Sequence, residues 1–590
     1  MSDEIKRDTP AKAGYRGDNQ RKDATKPAYR GTAQRKDGAK FVSGGDGPRK
    51  GGAKPAYGGK APRRDGDQPA YRGDGAKPFR HDDARSGAGV GNGGGKPPFR
   101  SGKVEGKTPY RGDRKPSFGD RGGFRGNDPR ANGRNDDRRG DRQAPDGLAA
   151  RRLALAVIRE VTENGAYASL ALDEKLVKSG LNPADRRLVS RLVYDTLEHL
   201  MTLDHALNQV MAKPDTDIKL RNVLRLGACQ ILLEDRIPES AATNTSVNLC
   251  KEIGMEGLAG VCNGILRNLI RQKDELQWPD EAQEPVRALS VRHSVPEWLV
   301  ERLETDWGRE EAVALMSHSE PETSITVRPN LIDMDDEAFE ELLNKKVWEH
   351  EKGAVPHSWR IRGMADIGRD ADFLSGRFSI QGESSMLACM AVDPKRGMQL
   401  LDACAAPGGK TCLMAEMMGG TGRVQAWEVH EHRTALIAAQ VKRLQLENVR
   451  PMTRDAAKRR EELDETMDAV LLDAPCSGLG VMADKPDVKY RVTEESVAEL
   501  TALQARLLDA VAPYVKRGGT LVYSTCSVLK DENVRQVEAF LQRHPEYELD
   551  KLPESIPEAF RQHADVGLQL MPHRDHVGGF YICRMRRKRV

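Results

Sequence analysis

Two cysteines stand where a buried apolar thiol has no obvious reason to be. Cys476 follows Asp473-Ala474-Pro475 and precedes Ser477-Gly478, and Cys526 lies in Ser524-Thr525-Cys526-Ser527. A free cysteine is ordinarily a small buried hydrophobe, which suits Cys229, Cys250 and Cys389. It suits poorly a cysteine flanked by Pro, Ser, Thr and Gly at the end of an apolar run, where loops carry function. A thiolate there is a nucleophile. A third such place is Cys404-Ala405-Ala406-Pro407-Gly408-Gly409-Lys410-Thr411, directly after Gln399-Leu400-Leu401-Asp402-Ala403. Apolar run, acid, tight turn and helix start together present backbone N–H groups to a small polar ligand.

These residues need a frame. From Gln399 onward the pattern alternates strand and helix, which predicts a doubly wound α/β sheet over 396–590. Strands are expected at 399–402, 422–428, near 448–452, 467–473 and 519–524, with a last pair near 567–571 and 578–585. Ligands of such sheets sit at the carboxyl ends of the strands, where each special residue falls. The glycine loop is not a phosphate cradle, because a P-loop needs a glycine where Cys404 stands, and the dinucleotide fingerprint fails as well. Glu428 ends the second strand, where an acid binds ribose hydroxyls. Asp455 follows the third, where a carboxylate can accept from an adenine amino group. For each acid alone a helix cap or a surface position is the alternative. Taken in order, the set describes S-adenosylmethionine. A use for the thiols then follows. The C5 carbon of a pyrimidine is a poor nucleophile until a thiolate adds to C6, and Asp473 is placed to meet N3 of such a ring.

The rest of the chain is differently composed. Residues 1–146 carry a net charge of +15 and residues 147–590 a net of −11. The first leucine is Leu148, and 29 of the 56 glycines fall within residues 1–146, so this segment is expected to be a disordered basic tail. An aromatic-Arg-Gly unit recurs there, as at Tyr15-Arg16-Gly17 and Tyr71-Arg72-Gly73. That is the composition of a sequence-tolerant RNA-binding tail, or of a merely solubilising one. Residues 147–280 read as an all-α bundle of five or six helices, with runs at 169–179, 183–210, 218–233, 239–253 and 258–272, and Asn182 as an N-cap. Its arginines (186, 187 and 191; 267 and 271) are solvated faces or RNA contacts. Residues 281–395 read as a small α+β linker with helices at 291–306 and 310–317. Gln381, Ser384 and Ser385 line a site or cap the helix that follows. Nine cysteines without a Cys-x-x-Cys pair, and no apolar signal core, predict a reducing cytoplasm, and no run is long enough for a membrane span. No metal site is expected.

The motifs Asp402–Thr411, Asp473–Gly480 and Ser524–Ser527 resemble those of the Nop/Sun family of RNA cytosine-C5 methyltransferases. The helical part, through 238–244 and 261–269, resembles the NusB-like RNA-binding domain of that family's bacterial Sun-type branch, which modifies small-subunit (16S) ribosomal RNA. The resemblance implies a Rossmann-like methyltransferase domain, S-adenosylmethionine as methyl donor and a ribosomal RNA substrate. It implies Cys526 as the nucleophile and Cys476 as the residue that assists release. It implies cofactor contacts from Cys404, Ala405, Ala406, Pro407, Gly408, Gly409, Lys410, Glu428, Arg433, Asp455 and Asp473. Cys404 is left without a chemical role, and a monomer is expected. The chain departs from the family pattern at Gly382, at Ala483-Asp484-Lys485 and at Gly578-Gly579, all on the expected target-nucleotide side.

Overall fold

The computed structural model describes residues 147–319, 324–364 and 367–590. The basic tail lies outside the described residues. Residues 148–272 form seven α-helices, at Leu148–Asn164, Ala168–Lys178, Pro183–Glu198, Leu200–Val210, Ile218–Leu232, Glu239–Glu252 and Ala259–Gln272. They close over a core that includes Leu155, Ile158, Leu192, Leu197, Leu203, Leu224 and Leu266. Asn182 is the expected N-cap, accepting from Asp185 N at 2.9 Å. The run 183–210 is not one helix. It breaks at His199, and the Glu198 carbonyl freed there is taken by Lys489 and Tyr490 from the distant catalytic part.

The expected helix at 291–306 is also two, Pro285–His293 and Glu297–Trp307, because Ser294 turns left-handed at φ 55° and Pro296 caps the second. With Arg309–Ser317 these helices pack against Leu479, Met482, Val488, Val528 and Leu529, which belong to the loops that carry the two cysteines. A four-stranded antiparallel sheet follows, formed by β1 (Ile325–Pro329), β2 (Glu349–Lys352), β3 (Trp359–Arg362) and β4 (Phe378–Ile380), in the order β2-β3-β1-β4. Inside it Arg328 donates to Gln381 at 2.7 Å and to Glu416 at 2.5 Å, with both members of the Arg328–Glu416 pair fully buried. This ties the small sheet to the helix Gly409–Met417 that starts at the glycine loop.

The large sheet comprises β5 (Gln399–Asp402), β6 (Arg423–Glu428), β7 (Val449–Thr453), β8 (Met467–Asp473), β9 (Val515–Thr525), β10 (Tyr547–Leu549), β11 (Ala564–Asp565), β12 (Gly567–Leu570) and β13 (Phe580–Arg587). The order is β11-β12-β13-β9-β8-β5-β6-β7, with β10 also on β13. Strands β5 to β9 pair in parallel. Parallel strands are buried on both faces and read as continuous apolar runs. In β8, Ala469 and Leu471 face one core, and Val470 and Leu472 the other. The strand order reverses between β5 and β8, so the switch-point crevice opens at Asp402 and Asp473.

Candidate active site

The loop after β5 is pinned to its neighbours by the backbone. Ala403 N donates to Leu471 O at 2.9 Å and Ala405 N to Trp427 O at 2.8 Å. At Gly408 the chain turns with φ 109°, and a Cβ there would stand 3.2 Å from Ile437 Cα, so only glycine suits the position. Asp402 is fully buried. Its Oδ2 accepts from Thr411 Oγ1 at 2.6 Å, while Oδ1 makes no hydrogen bond of normal geometry. Burial lifts this carboxyl to about 7 against the pull of Thr411. Glu428, 4% exposed, accepts from His430 N at 3.0 Å and pairs with Arg433 at 3.2 Å. Asp455 accepts from Ala457 N at 3.0 Å and pairs with the exposed Lys458. Both acids thus make the local turn contacts that a purely structural role requires, and each also keeps lone pairs to spare. Burial pushes the Cys404 thiol far above its usual range, and the charges of Asp402, Asp473 and Glu428 add to this.

On the other side of the crevice, Lys410 reaches Asp473 Oδ2 at 2.8 Å and lies 5.1 Å from the centre of the Phe580 ring. Burial opposes the charge of Lys410, but Asp473 outweighs it and holds the ammonium above the ordinary lysine range. Ser524 Oγ donates to Asp473 Oδ1 at 2.8 Å. The two cysteines that end β8 and β9 meet, with 3.3 Å between their Sγ atoms. The hydrogen bond from Cys476 lowers Cys526 despite burial, with Lys410 and Lys485 helping and Asp473 opposing. The same bond, burial and the charges of Cys526, Glu532 and Asp473 raise Cys476. The contact thus favours the thiolate form at Cys526 over Cys476, the direction expected of a nucleophile beside a thiol that can share a proton with it.

The loops approach so closely that two glycines are obligatory. Gly480 N donates to Cys526 O and Gly579 N to Gly480 O, both at 2.9 Å. A Cβ on Gly480 would stand 2.1 Å from Gly579 O. Gln504 and Glu532 stand in none of the motifs read from the sequence. Lys485 sits in one of the departures, and its cation bears on Cys526.

A family model for the 16S rRNA methyltransferase RsmB/F matches residues 389–586, and one for the NusB family matches residues 148–271. The probable ribosomal RNA small subunit methyltransferase B of Bacillus subtilis (strain 168) is 36% identical over 445 residues, covering 75% of this chain and 99% of that protein. The chain belongs to the RsmB/F rRNA methyltransferase family. The Synechocystis relative, also named a probable small subunit methyltransferase B, is 33% identical over 75% of this chain and 100% of its own length. The crystal structure of PH0851 superposes with a TM-score of 0.64 at 26% identity, covering 74% of this chain and 98% of that one. Like other RsmB/F proteins, this one is a methyltransferase that uses S-adenosylmethionine. The NusB-like bundle and the Rossmann-like domain expected from the sequence are both present. Among the described residues no helix is long and apolar enough to cross a membrane.

Proposed function

We propose that the protein methylates C5 of a cytosine in 16S ribosomal RNA through a covalent adduct between Cys526 and C6 of the base. The observation that carries this reading is the cysteine pair, brought to 3.3 Å at the ends of neighbouring strands β8 and β9, with the contact lowering Cys526 and raising Cys476. Cys526 Sγ, as thiolate, adds to C6, and the electron pair displaced from the 5,6 double bond makes C5 nucleophilic. Asp473, held between Lys410 and Ser524, meets N3 of the ring. S-adenosylmethionine, when bound, supplies an electrophilic methyl group. After transfer the C5 proton passes to solvent water, the C5–H electron pair re-forms the 5,6 double bond, and the Cys526–C6 bond breaks with its electron pair returning to Cys526 Sγ. Cys476, in contact with Cys526, assists that release by hydrogen-bonding the departing thiolate. The base must be extruded from the RNA to reach the pair.

The residues on the β5–β6–β7 side fit the methyl donor. The loop from Cys404 through Ala405, Ala406, Pro407, Gly408 and Gly409 to Lys410, which opens a helix, would hold the methionine end. Glu428 with Arg433 would take the ribose, and Asp455 the adenine. The unpartnered Asp402 Oδ1 supports a polar ligand at this edge. RNA would also contact the NusB-like bundle. The basic tail would add salt-sensitive affinity, and removing residues 1–146 should weaken RNA binding at low salt while leaving cofactor affinity unchanged.

Methyl transfer should vanish in Cys526→Ala, and Cys476→Ala should trap a protein–RNA adduct stable to denaturing gels. A Cys526→Ala protein that methylates at the wild-type rate would sink the assignment. Bisulfite sequencing of total RNA from a deletion strain identifies the cytosine.

A further inference from the structure

Beneath the two thiols lies a carboxylate to which the chemistry above gives no task. Glu532, on the loop between β9 and the helix Val534–Arg543, is fully buried. Its Oε2 accepts from Ser477 Oγ and from Ser527 Oγ, each at 2.5 Å. Its Oε1 accepts from Ser477 N at 2.8 Å and from Gln504 Nε2 at 3.0 Å. All four partners are donors, the pattern that suits a carboxylate, and none is a cation. Gln504 also donates to Pro475 O at 2.9 Å, and Tyr523 donates its hydroxyl to the Glu532 carbonyl at 2.6 Å. Ser477 and Ser527 are the residues directly after Cys476 and Cys526. One carboxylate therefore grips, at equivalent positions, the two loops that end β8 and β9.

We infer that Glu532 is a positioning residue that sets the spacing of the cysteine pair and, through that spacing, the difference in reactivity between the two thiols. The spacing follows from the shared Oε2. With both hydroxyls tied to one atom, the two cysteine loops cannot shift independently. The reactivity difference follows from the spacing, because the contact between the two thiols is the first cause that lowers Cys526 and raises Cys476. A buried anion without a cation partner disfavours a second anion close to it, and Glu532 is among the charges that raise Cys476. The charged and titratable groups facing the pair are Asp473, Lys410, Lys485, Glu532 and the Tyr523 hydroxyl. On Cys526 the hydrogen bond from Cys476 and the cations Lys410 and Lys485 work against burial and Asp473, and the thiol is lowered. The inference rests on the assignment of Cys526 as the nucleophile.

The test is competitive alkylation of the full-length protein with iodoacetamide at pH 7 to 8, read site by site by mass spectrometry, alongside kcat and KM for methyl transfer. In the wild type Cys526, the lowered thiol, should react about tenfold faster than Cys476. In Glu532→Gln, which keeps the shape but brings an amide donor to Ser477 N and Gln504, that preference should collapse. With it kcat should fall about 100-fold while both KM values stay within about twofold, as for a misplaced reacting group. Glu532→Asp, which restores the charge, should recover part of the preference. Should Glu532→Gln not fold, the Ser477→Ala/Ser527→Ala double variant cuts both ties to Oε2 and is read in the same way. A preference for Cys526 that survives in the variant overturns the inference about Glu532, whatever happens to kcat. A wild-type protein that reacts equally or faster at Cys476 overturns the assignment of the nucleophile.

Discussion

Along one edge of the sheet, from β5 to β7, the polar groups are only partly engaged. Asp402 Oδ1 is buried without a partner, and Glu428 and Asp455 each accept one backbone amide and lean on an exposed cation. Along the other, from β8 to β9, the polar side chains are tied to one another, although Gln504 Oε1 is left without a partner. Ser477, Ser527, Gln504 and Glu532 form one network. Asn533 forms another, accepting from Thr525 at 2.5 Å and donating to Ser527 O at 2.9 Å and to Gln569 at 2.8 Å. The contrast tracks what each edge has to do. A group meant for a diffusible ligand must keep lone pairs open for it. Reacting groups must already stand in place, because preorganised geometry lowers the barrier without reorganisation at the moment of reaction.

If the two edges are separately built, each should fail separately. Apart from changes to the thiols themselves, the largest effect on methyl transfer is expected from Gly480→Ala. Its Cβ would stand 2.1 Å from Gly579 O and 2.9 Å from Cys526 O, both backbone atoms that cannot swing aside. Relief requires moving one of the cysteine loops, which should cost about 1–3 kcal/mol of stability and about 100-fold or more in kcat. Cofactor affinity, measured by calorimetry, should stay within about twofold. The converse change is Glu428→Ala. It should weaken S-adenosylmethionine binding by about 1.5–3 kcal/mol, the worth of a hydrogen bond to a charged group, while kcat at saturating cofactor stays near wild type. If Gly480→Ala weakens cofactor binding as much as it slows transfer, the edges are not independent.

The same contrast decides what the sequence could show. The cofactor edge is local. The acid of β5, the glycine turn and the helix after it are consecutive, so strand ends and motifs were readable, and β5 and β8 have the expected bounds. The thiol edge is assembled from afar. Its two cysteines stand out by their flanking residues, but Glu532 acquires its place only when β8 and β9 lie side by side. The break at His199 was invisible for the same reason. Nothing between 183 and 210 reads as a stop, and the carbonyl exposed there is met by residues nearly 300 positions away. The helices from 285 to 317 likewise read as part of a linker, yet their apolar faces are completed by Leu479, Val488, Val528 and Leu529.

That distant contact anchors the thiol edge on the helical bundle, and it leads to a change with little expected effect on transfer. Past Cys476 the chain runs from Leu479 to Arg491 and then docks on the helical bundle. Asp487 accepts from Ala168 N, Tyr490 OH donates to Glu198 O at 3.1 Å, and Lys489 Nζ donates to Glu198 O at 2.9 Å and to His293 O at 3.2 Å. Lys489 is 5% exposed, and burial lowers it to about 8 from 10.5, with Glu198 pulling the other way. Between about pH 8 and 10.5 the unfolded chain therefore holds a proton that the folded chain has lost. Stability should rise with pH across that window, by about 3 kcal/mol if the whole difference is realised. Lys489→Met should flatten the rise. At pH 7 the variant loses a costly buried charge but leaves two carbonyls short of a donor, so its net stability should change by only about 1 kcal/mol. Because Glu532 holds Ser477 from the opposite side, kcat at neutral pH should drop no more than about threefold. Urea titrations of both proteins at pH 7, 8, 9 and 10 measure the slope. An equal rise in the two would show that Lys489 is not the group that titrates, and a collapse of kcat would show that the bundle, rather than Glu532, holds the cysteine loop in place.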